Sequence, residues 1–248
     1  MDLSAYRASP SEQARIASLV ALMPETFTTG LDIGARDGYI SLRMAERGDR
    51  ITALDLSVPS ISHEKIVCAQ GDTTALEFAS NTFDVAVCAE VLEHIPSPLL
   101  ERACNEIARV TKRWAIIGVP LNQDTRFGST RCPSCGKTNP PWGHVNSFSV
   151  ERLKTLFPSL EARQIQFVGT MKDYTNGLSH ALMEYAGHPF GTYSQDEACV
   201  YCNAQISYFD NRSFIQRLAT RAAHVLTSVQ QRFTPARPMW VNILFEKT

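Results

Sequence analysis

The sequence predicts an α/β protein: a doubly wound, seven-stranded, mainly parallel sheet whose last strand runs antiparallel. Three observations predict it. An apolar run from Gly30 to Ile33 breaks into the turn Gly34-Ala35-Arg36-Asp37-Gly38, and past Tyr39 the apolar residues Ile40, Leu42, Met44 and Ala45 fall at helical spacing. That is the pattern of a buried strand turning sharply into a helix. Strand-like and helix-like runs then alternate as far as Val119, the rhythm of a parallel sheet with crossover helices. Finally, acids stand at strand ends at Asp32, Asp55 and Asp72, and in such sheets ligands collect outside the carboxyl ends of the strands.

Taken in order, Ser9-Pro10-Ser11-Glu12 is a helix start, with a capping serine, proline in the first turn and glutamate three after the cap. Ile16, Leu19, Val20 and Met23 then form one apolar stripe, read either as an ordinary core helix or as one that packs at the edge of the ligand site. Strand one covers about 30–33, strand two 50–56 and strand three 65–70, each ending near an acid. Ser80-Asn81-Thr82 turns into a fourth buried strand, 83–89, followed by Glu90-Val91-Leu92-Glu93-His94. A helix over 98–112 turns Leu99, Leu100, Ala103, Ile107 and Val110 inward, and 114–119 is strand five. A helix over 149–156, strand six at 161–168 and a final alternating strand from Met239 to Phe245 complete the sheet.

The first turn narrows the ligand. Gly34 has no Cβ, so the backbone can turn tightly and approach a bound molecule. A dinucleotide site wants G-x-G-x-x-G to seat a pyrophosphate, yet Arg36 stands where the second glycine would be. Asp32, just before the turn, would repel a pyrophosphate but could accept hydrogen bonds from an ammonium group. A cationic, phosphate-free nucleoside fits better. Asp55, at the tip of the second strand, is placed to take both ribose hydroxyls.

Asp32-x-Gly34-x-x-x-Gly38 resembles the first motif of the class I S-adenosylmethionine-dependent methyltransferases, and F-D-x-V-x-x-x-x-V-L-x-H from Phe83 to His94 resembles their fourth-strand signature in small-molecule enzymes. The resemblance implies a cofactor site made of Asp32, Gly34, Arg36, Gly38, Asp55, Leu56, Asp72, Thr73, Ala89 and Glu90. It also implies that Asp72 contacts the adenine amino group. The whole chain, 1–248, is then one methyltransferase domain with two insertions, 129–144 and 173–236.

The insertions carry two C-x-x-C pairs, Cys132-Pro133-Ser134-Cys135-Gly136 and Cys199-Val200-Tyr201-Cys202. A C-x-x-C bite lets two thiolates meet one ion, and four thiolates fill the tetrahedral shell of a structural zinc without leaving room for a reactive water. Two unrelated pairs, or a redox pair, are the alternatives. Both loops leave the carboxyl edge of the sheet, so zinc would staple two lid segments over the substrate pocket. Asn139-Pro140-Pro141-Trp142 imitates a motif of enzymes that methylate amide or adenine nitrogens, but it does not follow strand four and reads as a proline-rich turn.

Methyl transfer to a hydroxyl needs a base that titrates near neutrality, which favours histidine. His144, between the first knuckle and the next helix, is the first candidate and His94 the second; each has a structural reading. His180 and His188, in a stretch with Tyr185, Phe190 and Tyr193, read as lining the acceptor pocket. In the predicted helix 211–233, Phe214, Leu218, Ala222, Val225 and Val229 share one face, and Arg212, Arg217, Arg221 and Arg232 occupy others. The bland reading is an apolar core contact under a solvated basic face. The sharper one is attraction to an anionic or carrier-bound acceptor.

The remaining composition excludes more than it selects. Among 248 residues, 44% hydrophobic and 20% charged content describes an ordinary globular protein, and a net charge of −1 weighs against nucleic acid as the partner. No apolar run approaches a membrane span and no signal-peptide pattern opens the chain, so the expected location is cytoplasmic. The reading is methyl transfer from S-adenosyl-L-methionine to oxygen or nitrogen of a small molecule, a sugar or a secondary metabolite. Its rivals are an RNA or protein methyltransferase that uses the zinc module and the basic helix, and a non-catalytic nucleoside-binding scaffold. Neither the acceptor nor the oligomeric state is legible.

Overall fold

A computed structural model describes residues 7–189, 198–206 and 211–247. The chain divides into two compact units: Met1–Leu121 with Phe148–Gly169 and Pro238–Thr248, and Asn122–Ser147 with Thr170–Arg237.

The first unit holds the sheet. In chain order its elements are α1 (Pro10–Leu22), β1 (Phe27–Ile33), α2 (Tyr39–Ala45), β2 (Gly48–Asp55), β3 (Ile66–Gln70), β4 (Phe83–Ala89), α3 (Ser97–Val110) and β5 (Thr111–Pro120). After the excursion through the second unit come α4 (Val150–Leu156), β8 (Leu160–Val168) and β9 (Trp240–Lys247). The strand order is β3-β2-β1-β4-β5-β9-β8. The pairs β1–β2, β1–β4, β2–β3 and β4–β5 are parallel, and β9 runs antiparallel to both β5 and β8. The predicted seven-stranded sheet with a reversed last strand is therefore present.

Side-chain alternation along the strands builds two apolar layers. On β4, Ala86 and Cys88 join Leu100, Ile107, Leu153 and Phe157 on one face, while Val85, Val87 and Ala89 join Ile16, Leu19 and Met44 on the other. On β5 the same alternation sends Ala115, Ile117 and Val119 to the first layer and Ile116 to the second. The central strands β1, β4 and β5 are buried on both faces, which is why they read as continuous apolar runs, whereas the edge strands β3 and β8 are partly exposed. One inward residue is corrected: Leu99, in the first turn of α3, is exposed.

The second unit contains the hairpin β6 (Thr130–Arg131) with β7 (Thr138–Asn139), a 3-10 turn at Pro141–Gly143, and the helices α5 (Gly177–Tyr185) and α6 (Phe214–Phe233). A buried ion pair, Arg237 to Asp173 at 2.5 Å, and the bridge between Met171 and Arg237 close it. Its apolar cluster is small, with Cys132, Cys199 and Ile206 buried and Ala204 beside them. None of the described helices is long and apolar enough to cross a membrane.

One expectation for the second unit fails. The face of α6 bearing Phe214, Leu218, Val225 and Val229 is exposed, and the buried residues are Ala219, Ala223 and Thr227. Small side chains let the backbone of α6 approach α5 closely, so the large apolar residues are turned outward.

Candidate cofactor site and zinc centre

The loop after β1 is shaped by backbone geometry. Gly34 and Gly38 have φ of 78° and 76°, and Arg36, at the position where a glycine would be usual, also has a positive φ of 46°. A Cβ on Gly34 would lie 2.4 Å from Val91 Cγ2, so the turn closes against the segment that follows β4. The loop is also tied to β2, because Gly34 N and Ala35 N donate to the Leu54 carbonyl at 2.8 and 3.0 Å.

The acids at the strand ends differ in their surroundings. Asp55 accepts from the N–H of Arg36 at 2.9 Å through one carboxylate oxygen and from that of Leu56 at 2.7 Å through the other. Each oxygen retains acceptor capacity, and Leu56 beside it is 69% exposed, leaving a flat apolar surface at the strand tip. Asp72 accepts from Thr74 N at 2.8 Å, with Thr73 buried next to it. Asp32 is different. It is buried, it accepts from Ser41 Oγ at 2.5 Å, and desolvation pushes its carboxyl up to about 6 against the help of that bond.

After β4, Ala89 is buried and Glu90 has a φ of 58°, with its N–H donating to the Gly118 carbonyl at 3.0 Å. Glu90 Oε2 accepts from Trp240 Nε1 at 3.1 Å, while Oε1 is buried without a partner. Glu93 is fully buried, and neither of its oxygens has a hydrogen-bond partner among the described residues. Burial first, then the neighbouring Glu90, holds the Glu93 carboxyl well above the usual range. Burial raises Glu90 too, opposed by Arg15.

Arg15 belongs to a chain of charges on α1. Its guanidinium pairs with Glu12 through two bonds of 2.8 Å, and Glu12 also meets Arg7, whose other end holds Asp37 in the glycine loop at 2.7 Å. Ile16, Leu19 and Leu22 of the first helix enter the core, and Glu12 in its first turn is linked through Arg7 to Asp37 of the glycine loop. Sequence reasoning did not single out Glu12, Arg15, Glu93 or Trp240. The available signal was the Glu12–Arg15 spacing, which places opposite charges on one helix face.

In the second unit the four cysteines converge. All are free thiols, and their sulfurs lie within 4.8 Å of one another. Cys132 to Cys202 and Cys135 to Cys199 are each 3.7 Å. Thiolates bound at about 2.3 Å to a tetrahedral ion stand about 3.8 Å apart, so the donor set fits zinc. Both knuckles are built the same way. Cys132 N donates to Lys137 O and Gly136 N to Cys132 O, each at 2.9 Å; Cys199 N donates to Ala204 O at 2.9 Å and Asn203 N to Cys199 O at 2.8 Å. Gly136 and Asn203 occupy equivalent left-handed positions, with φ of 71° and 58°. Burial opposes ionisation of Cys132, but the backbone N–H groups of Cys135 and Ser134 and the neighbouring sulfurs bring its thiol down to about 7.

The Asn139-Pro140-Pro141-Trp142 stretch is part of this framework. Asn139 is fully buried, its side-chain oxygen accepts from Val200 N at 2.9 Å, and its amide donates to the Pro140 carbonyl at 3.2 Å. Its hydrogen bonds stay inside the unit, binding the hairpin to the second knuckle.

The histidines fall in different settings. His94 is exposed, in the first unit, with its N–H on the Val91 carbonyl at 3.0 Å. His144, in the second, is 8% exposed, and its Nδ1 lies 2.6 Å from the Gln123 side-chain oxygen. With that oxygen toward the ring, Nδ1 carries the proton and Nε2 keeps its lone pair. His180 and His188 face each other at 5.6 Å between ring centroids and line a cavity of about 60 Å³. Desolvation first, then the nearby His180 and Arg131, lowers His188 to about 4. Tyr185 is 58% exposed, and Phe190 and Tyr193 lie outside the described residues.

Comparisons with known proteins agree with the fold and with the glycine loop. A family profile described as a methyltransferase domain matches residues 31–117. The ubiquinone biosynthesis O-methyltransferase of Nitrosospira multiformis is 33% identical over 90 residues, which is 32% of this chain and 38% of that protein. That of Idiomarina loihiensis is 33% identical over 85 residues, 30% of this chain and 35% of that protein. The chain thus spans less than half the length of these curated relatives. Among solved structures, the N-methyltransferase NodS of Bradyrhizobium japonicum WM9, in complex with S-adenosyl-L-homocysteine, aligns with a TM-score of 0.53 at 20% identity over 68% of this chain and 84% of that one. A putative methyltransferase from Bacillus halodurans C-125 aligns with a TM-score of 0.56 at 12% identity over 94% and 98%. At such identities the structures show the fold. The methyltransferase-domain match is confined to residues 31–117, the part of the chain that holds the glycine loop and strands β1 to β5.

Proposed function

We propose that the protein transfers a methyl group from S-adenosyl-L-methionine to a hydroxyl of a small molecule. The observation that carries the reading is the glycine loop closing on Val91 with Asp55 and Asp72 at the neighbouring strand tips, in a region that matches a methyltransferase domain. The O-methyltransferase names of the relatives favour oxygen over nitrogen as the acceptor atom.

The cofactor would supply an electrophilic methyl on a sulfonium. Asp55 would accept the ribose hydroxyls with the lone pairs that Arg36 N and Leu56 N leave open. Leu56 would cover an adenine face and Asp72 its amino group, beside Thr73. Gly34, Arg36 and Gly38 give the loop its close approach, while Asp32 fixes that loop from below through Ser41. Ala89 and Glu90 form the far wall, with the free oxygen of Glu90 available to a cationic group. His144 would take the hydroxyl proton on Nε2, with Gln123 fixing its tautomer; His94 is the second choice. Cys132, Cys135, Cys199 and Cys202 would hold a structural zinc that shapes the second unit and takes no part in the chemistry. Free thiols throughout are consistent with a cytoplasmic location.

Calorimetry with S-adenosylhomocysteine tests the reading directly. Binding is expected, and Asp55→Ala should weaken it by about 1–3 kcal/mol through lost hydrogen bonds to a charged acceptor. Tight binding of a nicotinamide dinucleotide, with none of S-adenosylhomocysteine, would sink it.

A further inference from the structure

The exposed face of α6 has no role in the function above. The helix has 20 residues and opens with a capping box, Ser213 against Gln216, so it is about 30 Å long. At 3.6 residues per turn its surface divides into three arcs. Ala219, Ala223 and Thr227 form the buried arc. Beside it runs an apolar arc of Phe214, Leu218, Val225, Val229 and Phe233, of which Phe214 is 74%, Val225 62% and Phe233 84% exposed. The third arc carries Arg217 and Arg221, and Arg232 lies in line with Phe214 five turns on, at the border between that arc and the apolar one; all three are exposed. No acid occurs in the sequence between Asp210 and Glu246.

Large apolar side chains in water along a whole helix mark an interaction surface. The charge beside them says what kind. A helix that lies in a bilayer interface sinks an apolar arc about 5–10 Å below the headgroups and sets arginines against anionic phosphates. A soluble protein partner would have to satisfy the arginines with its own acids along the full length of the helix; an anionic lipid surface does so everywhere. We propose that α6 docks the protein peripherally on an anionic phospholipid surface, with Phe214, Leu218, Val225, Val229 and Phe233 immersed and Arg221 and Arg232 at the headgroups.

Co-sedimentation of the full chain with vesicles tests this. The protein should pellet with phosphatidylglycerol vesicles and stay in solution with phosphatidylcholine vesicles. Raising salt from about 0.1 M to about 1 M shortens the screening length from about 10 Å to about 3 Å and should release much of it. The double variant Arg221→Gln/Arg232→Gln should lower the partition coefficient roughly 30-fold, at about a factor of five per arginine. Val225→Asp/Val229→Asp should abolish binding while thermal unfolding and metal content stay unchanged, since both residues are exposed. Equal binding to both vesicle types, no binding to phosphatidylglycerol, or full binding by the valine variant overturns the proposal. So does a dimer in light scattering that the valine variant turns into monomer, without vesicle binding by either protein; the face then belongs to a second copy of the chain.

Discussion

The two units solve the same folding problem with different means. The first buries both faces of a seven-stranded sheet under two apolar layers, so every strand contributes to a core that needs nothing else. Among the described residues, the second clusters two buried cysteines with one isoleucine, buries only alanines at the apolar positions of α5 and α6, and leaves large apolar residues of α6 exposed. Little apolar surface is buried among the described residues of this unit to offset the conformational entropy of ordering the chain. Its four thiols bring segments distant in sequence to one point, and the proposed zinc would supply the stabilisation there. One unit has a large apolar core, the other a cluster of four thiols that would be held by the proposed zinc.

The largest effect should come from taking the metal away. Structural zinc contributes folding free energy on the order of 10 kcal/mol in small sites, so a chelator or Cys132→Ser should unfold the second unit. Hydrogen exchange would show protection lost over 122–147 and 170–237 and kept in β1, β4 and β5. Metal analysis should find about one zinc per chain before treatment. Loss of protection in the sheet as well would break the comparison, because the units would then be one cooperative structure.

His144→Gln comes next. A positioned base contributes about 10²–10⁴ in rate, so turnover of a hydroxyl acceptor should fall by about that factor while S-adenosylhomocysteine affinity is unchanged. His94→Gln is the control, and loss of turnover there, with His144→Gln active, moves the assignment to His94.

A smaller effect tests the first unit alone. The Asp32 carboxyl is raised from 3.8 to about 6 by burial, which corresponds to about 3 kcal/mol at most. Between those values the folded state holds more proton than the unfolded one, so stability falls as pH rises from about 4 through about 6. Asp32→Asn, which can still accept from Ser41, should remove that slope and be more stable than the parent at pH 7 but not at pH 4. An unchanged pH profile in chemical denaturation would refute it.

The smallest concerns the knuckle turn. Gly136 has a φ of 71° and nothing would crowd a Cβ there, so Gly136→Ala should cost about 1–2 kcal/mol from backbone strain alone. Asn203 adopts the same turn in the other knuckle, so zinc binding should weaken and survive. Complete loss of metal would mean that the turn, and not the thiols, limits the site.

Much of this was legible in the chain. The strand-turn-helix at Gly30–Tyr39 was visible because buried strands are continuously apolar and the turn needs glycine. The acids at Asp32, Asp55 and Asp72 were visible because strand ends can be counted. The cysteine pairs were legible because C-x-x-C spacing is local, and the convergence of the two pairs agrees with it. The α6 stripe misled because helical periodicity shows that a face is apolar without showing what it meets. The bond from Trp240 to Glu90, 150 residues apart, and the full burial of Glu93 left almost no local trace.

The sequence by itself determined the order of strands and helices, the loop that turns at Gly34, and the four thiols, since each depends on residues close together in the chain. Only the tertiary structure decided which face of α6 is buried, which acids are shut away from water, and which histidine nitrogen keeps its lone pair. Those follow from burial and from partners far along the chain: small residues at Ala219 and Ala223 admit a neighbouring helix where leucine could not, and desolvation, which no local pattern records, separates Asp32 and Glu93 from Asp55.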